Sequence, residues 1–295
     1  MADDRFYPPH GFLALPTEQS QYASARVVVL PIPYDATTSA RAGAREGPRA
    51  IIFASEEIEA YDLDLGYDAS QHGIHTLPDV APHSGGPQAM VERIESVVGD
   101  LLDDGKFVVT LGGEHTVAVG AVRAHARRLP GLSVLSIDAH ADLRDEYLDS
   151  PYNHACVMRR IIDLCPVVQV GMRSVSADQV SLIRERNLAF FTPQAYRALP
   201  DGPAEIARIL TQDVYISIDL DGLDPSQMAA VGTPEPGGLF WDEVIALLTA
   251  VAREKRIVGF DVTELAPDLG PPACAHLAAK LAYRLIGLAL GAPPA

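Results

Sequence analysis

Cysteine is scarce: Cys156, Cys165 and Cys274 are the only three in 295 residues, and no two stand in a C-x-x-C pair. That count excludes a disulfide framework, and a reducing, cytoplasmic setting is the expectation. Basic residues are also few, 23 Lys and Arg against 39 Asp and Glu, for a formal net charge of −16. Without a basic stripe the chain lacks the footprint of a nucleic-acid partner, whereas a small cationic ligand suits its field. The opening MADDRFYPPH has neither the basic start nor the apolar stretch of a secretory signal. The most apolar helical segment, Ala273 to Leu290, carries His276, Lys280 and Arg284. It therefore reads as a partly buried terminal helix, and no membrane partner is expected. No Gly-X-Y or heptad period and no internal repeat is present, so fibrous and solenoid classes fall away.

What is present suits a globular core: 48% of the residues are apolar. After an irregular arm of about 25 residues, short β-branched runs alternate with amphipathic helical patterns. Strands are predicted at Arg26 to Leu30, Phe107 to Leu111, Ser133 to Asp138, Val167 to Val170, Val214 to Asp219 and Ile257 to Val262. Met90, Ile94, Val97 and Leu101 mark one helical stripe, and Val244, Leu247, Leu248 and Val251 another. Continuous apolar strands such as VVVL, VVTL and VLSI belong to parallel sheets covered on both faces. The expected fold is a single α/β domain over residues 1–295, three layers (α/β/α) around a mostly parallel sheet.

Ligands bind beyond the carboxyl ends of such strands. Four runs end in polar chemistry: TLGGEHT, SIDAHADLR, SIDLDGLDP and FDVTELAP. Residue alternation lets Asp138, His140 and Asp142 project to one side, as do Asp219 and Asp221. With His115 after the Gly112-Gly113 pair, this gathers four carboxylates and two imidazoles. Taken singly, each is more simply a capping or satisfied core residue. Taken together, unneutralised carboxylates would raise one another's pKa, and two divalent cations are the more economical reading. Mixed carboxylate and imidazole donors without thiolate suit manganese, with iron, cobalt, nickel or zinc disfavoured.

The motifs GGEHT (Gly112 to Thr116), DAHADLR (Asp138 to Arg144) and SIDLDGLDP (Ser217 to Pro225), with GAREGPRAI (Gly43 to Ile51) before them, resemble those of the arginase and agmatinase family of ureohydrolases. The resemblance spans about Val27 to Leu288 and implies an arginase-like fold with two Mn2+ per chain. Motif by motif, it places His115, Asp138, Asp142 and Asp219 around one ion and Asp138, His140, Asp219 and Asp221 around the other. It also implies a homo-oligomer, trimer or hexamer. Its mobile catalytic histidine falls on His154, within SPYNHACVMRR, and its guanidinium-binding glutamate on Glu264.

That segment is similar to agmatinases, and no acid follows Arg173 where arginases meet an α-ammonium group. The implied reaction is hydrolysis of a cationic guanidino compound to urea and an amine, agmatine to putrescine first. Asp142 would take a proton from water, His154 would give one to the leaving amine, and Glu264 would hold the substrate cation. Aminopropylagmatine, guanidinobutyrate, guanidine, arginine and formiminoglutamate are alternative substrates; a metal-binding protein without turnover is the alternative of another class. Arginine should be disfavoured by about 30-fold or more, the equivalent of about 2 kcal/mol for a carboxylate buried without donors. Only Arg159 or Arg160, if turned into the cleft, would undercut this. Asp261 is a weaker candidate than Glu264, Glu114 and Asp224 are expected to orient ligands, and His10, His72, His75, His83, His125 and His276 receive no role.

Overall fold

The computed structural model describes residues 10–291. Its strands are β1 (Val27–Ile32), β2 (Tyr61–Asp62), β3 (Tyr67–Asp68), β4 (Ile74–Thr76), β5 (Phe107–Gly112), β6 (Leu132–Ile137), β7 (Val167–Val170), β8 (Ala189–Phe191), β9 (Asp213–Asp219) and β10 (Arg256–Thr263). Its helices are α1 (Thr17–Ser20), α2 (Gly47–Ser55), α3 (Pro87–Asp103), α4 (Val117–Arg128), α5 (Val157–Ile161), α6 (Ala177–Glu185), α7 (Pro193–Ala198), α8 (Gly202–Ile209), α9 (Trp241–Glu254) and α10 (Ala273–Leu290). Strands β2 and β3 form a small antiparallel pair. The other eight make one sheet in the order β4-β1-β5-β10-β9-β6-β7-β8, and its pairings are parallel.

Alternation along each strand divides the apolar side chains between two cores. On β1, Val27 and Val29 face the core formed with α2, α9 and α10, while Val28, Leu30 and Ile32 face α3 and α4. The other central strands do the same: Val109 and Leu111 on one side of β5 with Val108 on the other, and Ile216 and Ile218 on one side of β9 with Tyr215 on the other. A sheet apolar on both faces must be covered on both, and three layers result. Helix α10 belongs to the first core, with Leu281, Leu285 and Ile286 wholly buried. Its Arg284 is paired to Asp62 at 2.5 Å and Asp64 at 2.8 Å.

Several boundaries differ from the sequence reading. Strand β1 runs on through Pro31 to Ile32, because pairing with β4 stops at Val29 and on that side Pro31 needs only its carbonyl, which accepts from the Val80 N–H at 2.9 Å. The three-residue strands β4 and β8 carry too little pattern to predict. The arm holds a 3-10 turn at Phe12–Ala14 and the single turn α1, and Phe12 is buried in the core. Residues 1–9 of that arm lie outside the described residues. Near the glycine-proline stretch, Pro48 sits in the first turn of α2, where its absent N–H leaves no intrahelical bond unmade.

Candidate functional site

Strands β5, β6, β9 and β10 lie near the middle of the sheet, and the segments that follow them converge at its carboxyl edge. The convergence is not the work of strand alternation. Strand β6 stops at Ile137, and Asp142 is brought inward by a left-handed backbone (φ 50°) four residues beyond Asp138. Asp221 lies in the 3-10 turn Leu220–Gly222 after β9, where its backbone N–H is held by Asp219 Oδ1 at 2.9 Å. Glu264 is also left-handed (φ 67°), just past β10. Backbone of this kind at non-glycine residues costs of order 1–3 kcal/mol and concentrates at functional sites.

Two clusters result. In one, His115 Nδ1 lies 3.0 Å from Asp142 Oδ2, 3.2 Å from Asp138 Oδ2 and 3.5 Å from Asp219 Oδ2. In the other, His140 Nδ1 is 2.9 Å from Asp221 Oδ2 and 3.8 Å from Asp138 Oδ1. Asp138 thus belongs to both groups, one oxygen to each. Its Oδ2 is buried and makes no hydrogen bond, and so buried a carboxylate oxygen calls for a proton or a cation. Burial, then the nearby charges of Asp142 and Asp221, push the Asp138 carboxyl up to about 8. Burial and the charges of Asp221 and Asp138 likewise raise Asp219 well above the carboxylate range. Burial disfavours charge on the two imidazoles, yet the carboxylates of Asp138 and Asp142 beside Nδ1 raise His115, and the hydrogen bond to Asp221 carries His140 to about 10. The site therefore holds protons where a pair of divalent cations would fit.

The sequence reading missed the group that orients His115. Ser217 Oγ donates to Asp261 Oδ1 at 2.9 Å, so its lone pair accepts from His115 Nε2 at 3.0 Å. With Nε2 committed as a donor to Ser217, Nδ1 is the nitrogen that would give up its proton to a cation and serve as the metal ligand. The available signal was spacing, since Ser217 shares its strand face with Asp219 two residues on. Asp261, fully buried beneath this layer, supports the site without lining it. Glu264 accepts from the His115 backbone N–H at 2.7 Å, and burial followed by the charge of Glu114 raises its pKa well above the usual range.

Glu114 and Asp224 do not orient ligand side chains as expected. Glu114 turns back to Thr37, accepting from its N–H at 2.6 Å and its hydroxyl at 2.7 Å. Asp224 caps its own loop through the N–H groups of Ser226, Gly237 and Gly238. The adjacent charges point elsewhere because each loop needs its own backbone donors satisfied. His125 is buried in the core against Tyr215, where burial lowers it to about 4.

Above the clusters opens a pocket of about 230 Å³ lined by His140, Asp142, Asp219 and Asp221 below and by Ser39, His154, Arg144 and Tyr147 nearer its mouth. His154 is half-buried, with Nδ1 3.8 Å from Glu264 Oε1. Burial is the main cause that lowers its pKa, which favours the neutral ring. Arg159 and Arg160 are tied to Asp145, and Arg159 also to Asp163, so neither is the cleft donor that the sequence raised as a concern. Arg144 is the cation that lines the pocket, its guanidinium 4.8 Å above the Tyr147 ring.

Comparison with known proteins adds an independent finding. A family model described as Arginase family matches residues 25–287. The N(1)-aminopropylagmatine ureohydrolase of Synechocystis sp. is 42% identical over 276 residues, covering 91% of this chain and 90% of that protein. The protein of the same name from Thermus thermophilus is 43% identical over 274 residues, covering 92% of each. The crystal structure of agmatine ureohydrolase of Thermoplasma volcanium superposes with a TM-score of 0.86 at 33% identity, covering 97% of this chain and 96% of that one.

Proposed function

The chain belongs to the arginase family of hydrolases, and we propose that it uses two manganese ions to hydrolyse a guanidino compound with a cationic tail to urea and an amine. Aminopropylagmatine is the favoured substrate and agmatine the second. The observation that carries the proposal is Asp138, whose two oxygens face two different His/Asp groups and whose buried Oδ2 lacks any hydrogen bond. Six oxygen and nitrogen donors without a thiolate match manganese chemistry. The preference for aminopropylagmatine rests on the names of the relatives at 42–43% identity.

His115, Asp138, Asp142 and Asp219 would hold one ion, and Asp138, His140 and Asp221, joined by Asp219 on the family resemblance, would hold the other. When bound, the pair would acidify a water molecule and polarise the guanidinium carbon. The chain's own residues do the rest. Glu264, already anchored by the His115 N–H, offers its remaining lone pairs to the guanidinium, offsetting the desolvation of that cation. Asp142, held off strand geometry by its left-handed backbone, faces the pocket as the acceptor of the proton lost by water. The C–N bond breaks as the departing nitrogen receives a proton from His154. Overall, guanidinium and water give urea and an ammonium ion, with charge conserved.

Urea release across a panel of aminopropylagmatine, agmatine, guanidinobutyrate, guanidine, formiminoglutamate and arginine, with manganese and with chelator, tests the proposal. Manganese-dependent urea release, greatest with the two amine-tailed substrates, is expected. No urea from any member of the panel, or turnover unaffected by chelation, would falsify it.

A further inference from the structure

The loop between β1 and α2 reaches His154 from behind. Ser39 Oγ lies 2.8 Å from His154 Nε2, and the Ser39 backbone N–H points at the same nitrogen from 3.3 Å. A backbone N–H can only donate, so Nε2 is an acceptor and the neutral ring carries its proton on Nδ1, the nitrogen beside Glu264. The loop is held for this task. Glu114 fixes Thr37 by its N–H and hydroxyl, the Thr37 hydroxyl takes the His154 N–H at 2.9 Å, and Asn153 Nδ2 donates to the Thr37 carbonyl at 3.1 Å. Ser39 itself is exposed and lines the pocket mouth, so its hydroxyl has the ring on one side and solvent on the other.

We infer that Ser39 is a positioning and proton-relay residue that fixes the tautomer of His154 and connects its rear nitrogen to bulk water. The inference rests on His154 being the proton donor proposed above. As the C–N bond breaks, its electron pair leaves with nitrogen, which takes the Nδ1 proton. Nε2 takes the Ser39 hydroxyl proton, and a water at the mouth returns one to Ser39 Oγ. The imidazole ends neutral as the other tautomer, never passing through a charged state; neutral imidazole donors of this kind are known in enzyme catalysis. Water gives up two protons, one as hydroxide forms and one as the intermediate's hydroxyl becomes the urea carbonyl; passed through Asp142 to solvent, they balance the one supplied through Ser39 and the one that the released amine takes from solvent to become ammonium. After product release the ring resets by giving Nε2–H back to Ser39 and regaining a proton on Nδ1.

The test uses Ser39→Ala and Ser39→Thr in the manganese-loaded protein with the best substrate of the panel. Ser39→Ala should lower kcat by about tenfold or more, up to but not beyond the loss of about 10²–10⁴ expected for losing acid–base catalysis altogether, with KM and metal content unchanged. Ser39→Thr, which keeps the hydroxyl, should restore it. A bowed proton inventory in mixtures of light and heavy water should become linear in Ser39→Ala, a change that a packing defect does not produce. Unchanged kcat in Ser39→Ala, or no recovery in Ser39→Thr, overturns the relay. The tautomer is read separately, without turnover, from the 15N spectrum of the diamagnetic zinc-loaded protein, with His154→Asn identifying the ring. A protonated Nε2 there overturns the inference even if urea is produced, whereas absence of urea production with the expected tautomer would count against the substrate assignment.

Discussion

At the scale of single residues, the shared carboxylate ranks above its neighbours. Asp138→Ala should remove a ligand from both ions, leaving less than one metal per chain and activity near background, while His140→Ala keeps the first cluster intact. Elemental analysis of both variants after manganese loading decides this; equal metal loss would remove the special standing of Asp138. His154→Ala should retain both ions yet lose turnover by about 10²–10⁴-fold, with partial recovery in added imidazole. Loss of metal instead would move His154 into the coordination shell. Arg144 gives the substrate series a sign. A guanidinium at the pocket mouth opposes a cationic tail by no more than about 1 kcal/mol in solvent, so Arg144→Gln should lower KM for aminopropylagmatine up to about fivefold. The same change should raise KM for guanidinobutyrate. Equal shifts for both substrates would show that Arg144 acts by shape. Its presence also weakens the expected discrimination against arginine, because it offers the donor that Arg159 and Arg160 do not.

At the scale of elements, the strands that carry the site come so close that glycine is required between them. A Cβ on Gly113 would stand 2.1 Å from the Tyr34 carbonyl oxygen, which is backbone and has no flexible side chain to give way. Gly113→Ala should therefore destabilise the fold by about 3 kcal/mol or more and displace both His115 and Glu264, whose N–H binds the Gly113 carbonyl. Urea denaturation and metal content measured together test this; a stable, fully loaded variant would show that β1 can shift. The sheet and its polar strand ends were legible in advance because long apolar runs such as Phe107–Gly112 and Asp213–Asp219 carry their pattern locally. The three residues of β8 do not. Nor could Asp221 be seen in a 3-10 turn, or Asp142 and Glu264 in left-handed backbone, since tertiary contacts impose both. Ser39 and Thr37 escaped notice for a related reason: their partners Glu114 and His154 lie 77 and more residues away.

At the scale of the whole molecule, stability and metal content are linked. Asp138, Asp219, His115 and His140 bind protons more tightly in the metal-free fold than in the unfolded chain. Groups with raised pKa stabilise below their unfolded values and lose that contribution as pH rises through their folded ones. Asp221, shifted down chiefly because hydrogen bonding to His140 outweighs its burial, acts at lower pH and does not offset them near neutrality. With chelator, Tm should fall steadily from pH 5 to 8.5. Manganese at about 1,000 times its Kd should add about 4 kcal/mol and remove most of that fall. A metal-free Tm that rises over this range would contradict the arrangement. The shared Asp138 has one more consequence. An incoming cation must evict protons from the same atoms it binds, so uptake is an exchange of charge for charge and the protein acts as an acid while it loads. Calorimetric titration in buffers of different ionisation enthalpy would count the protons released. In the proposed pair both ions would draw on that one carboxylate, so the first cation to arrive would evict protons on behalf of the second.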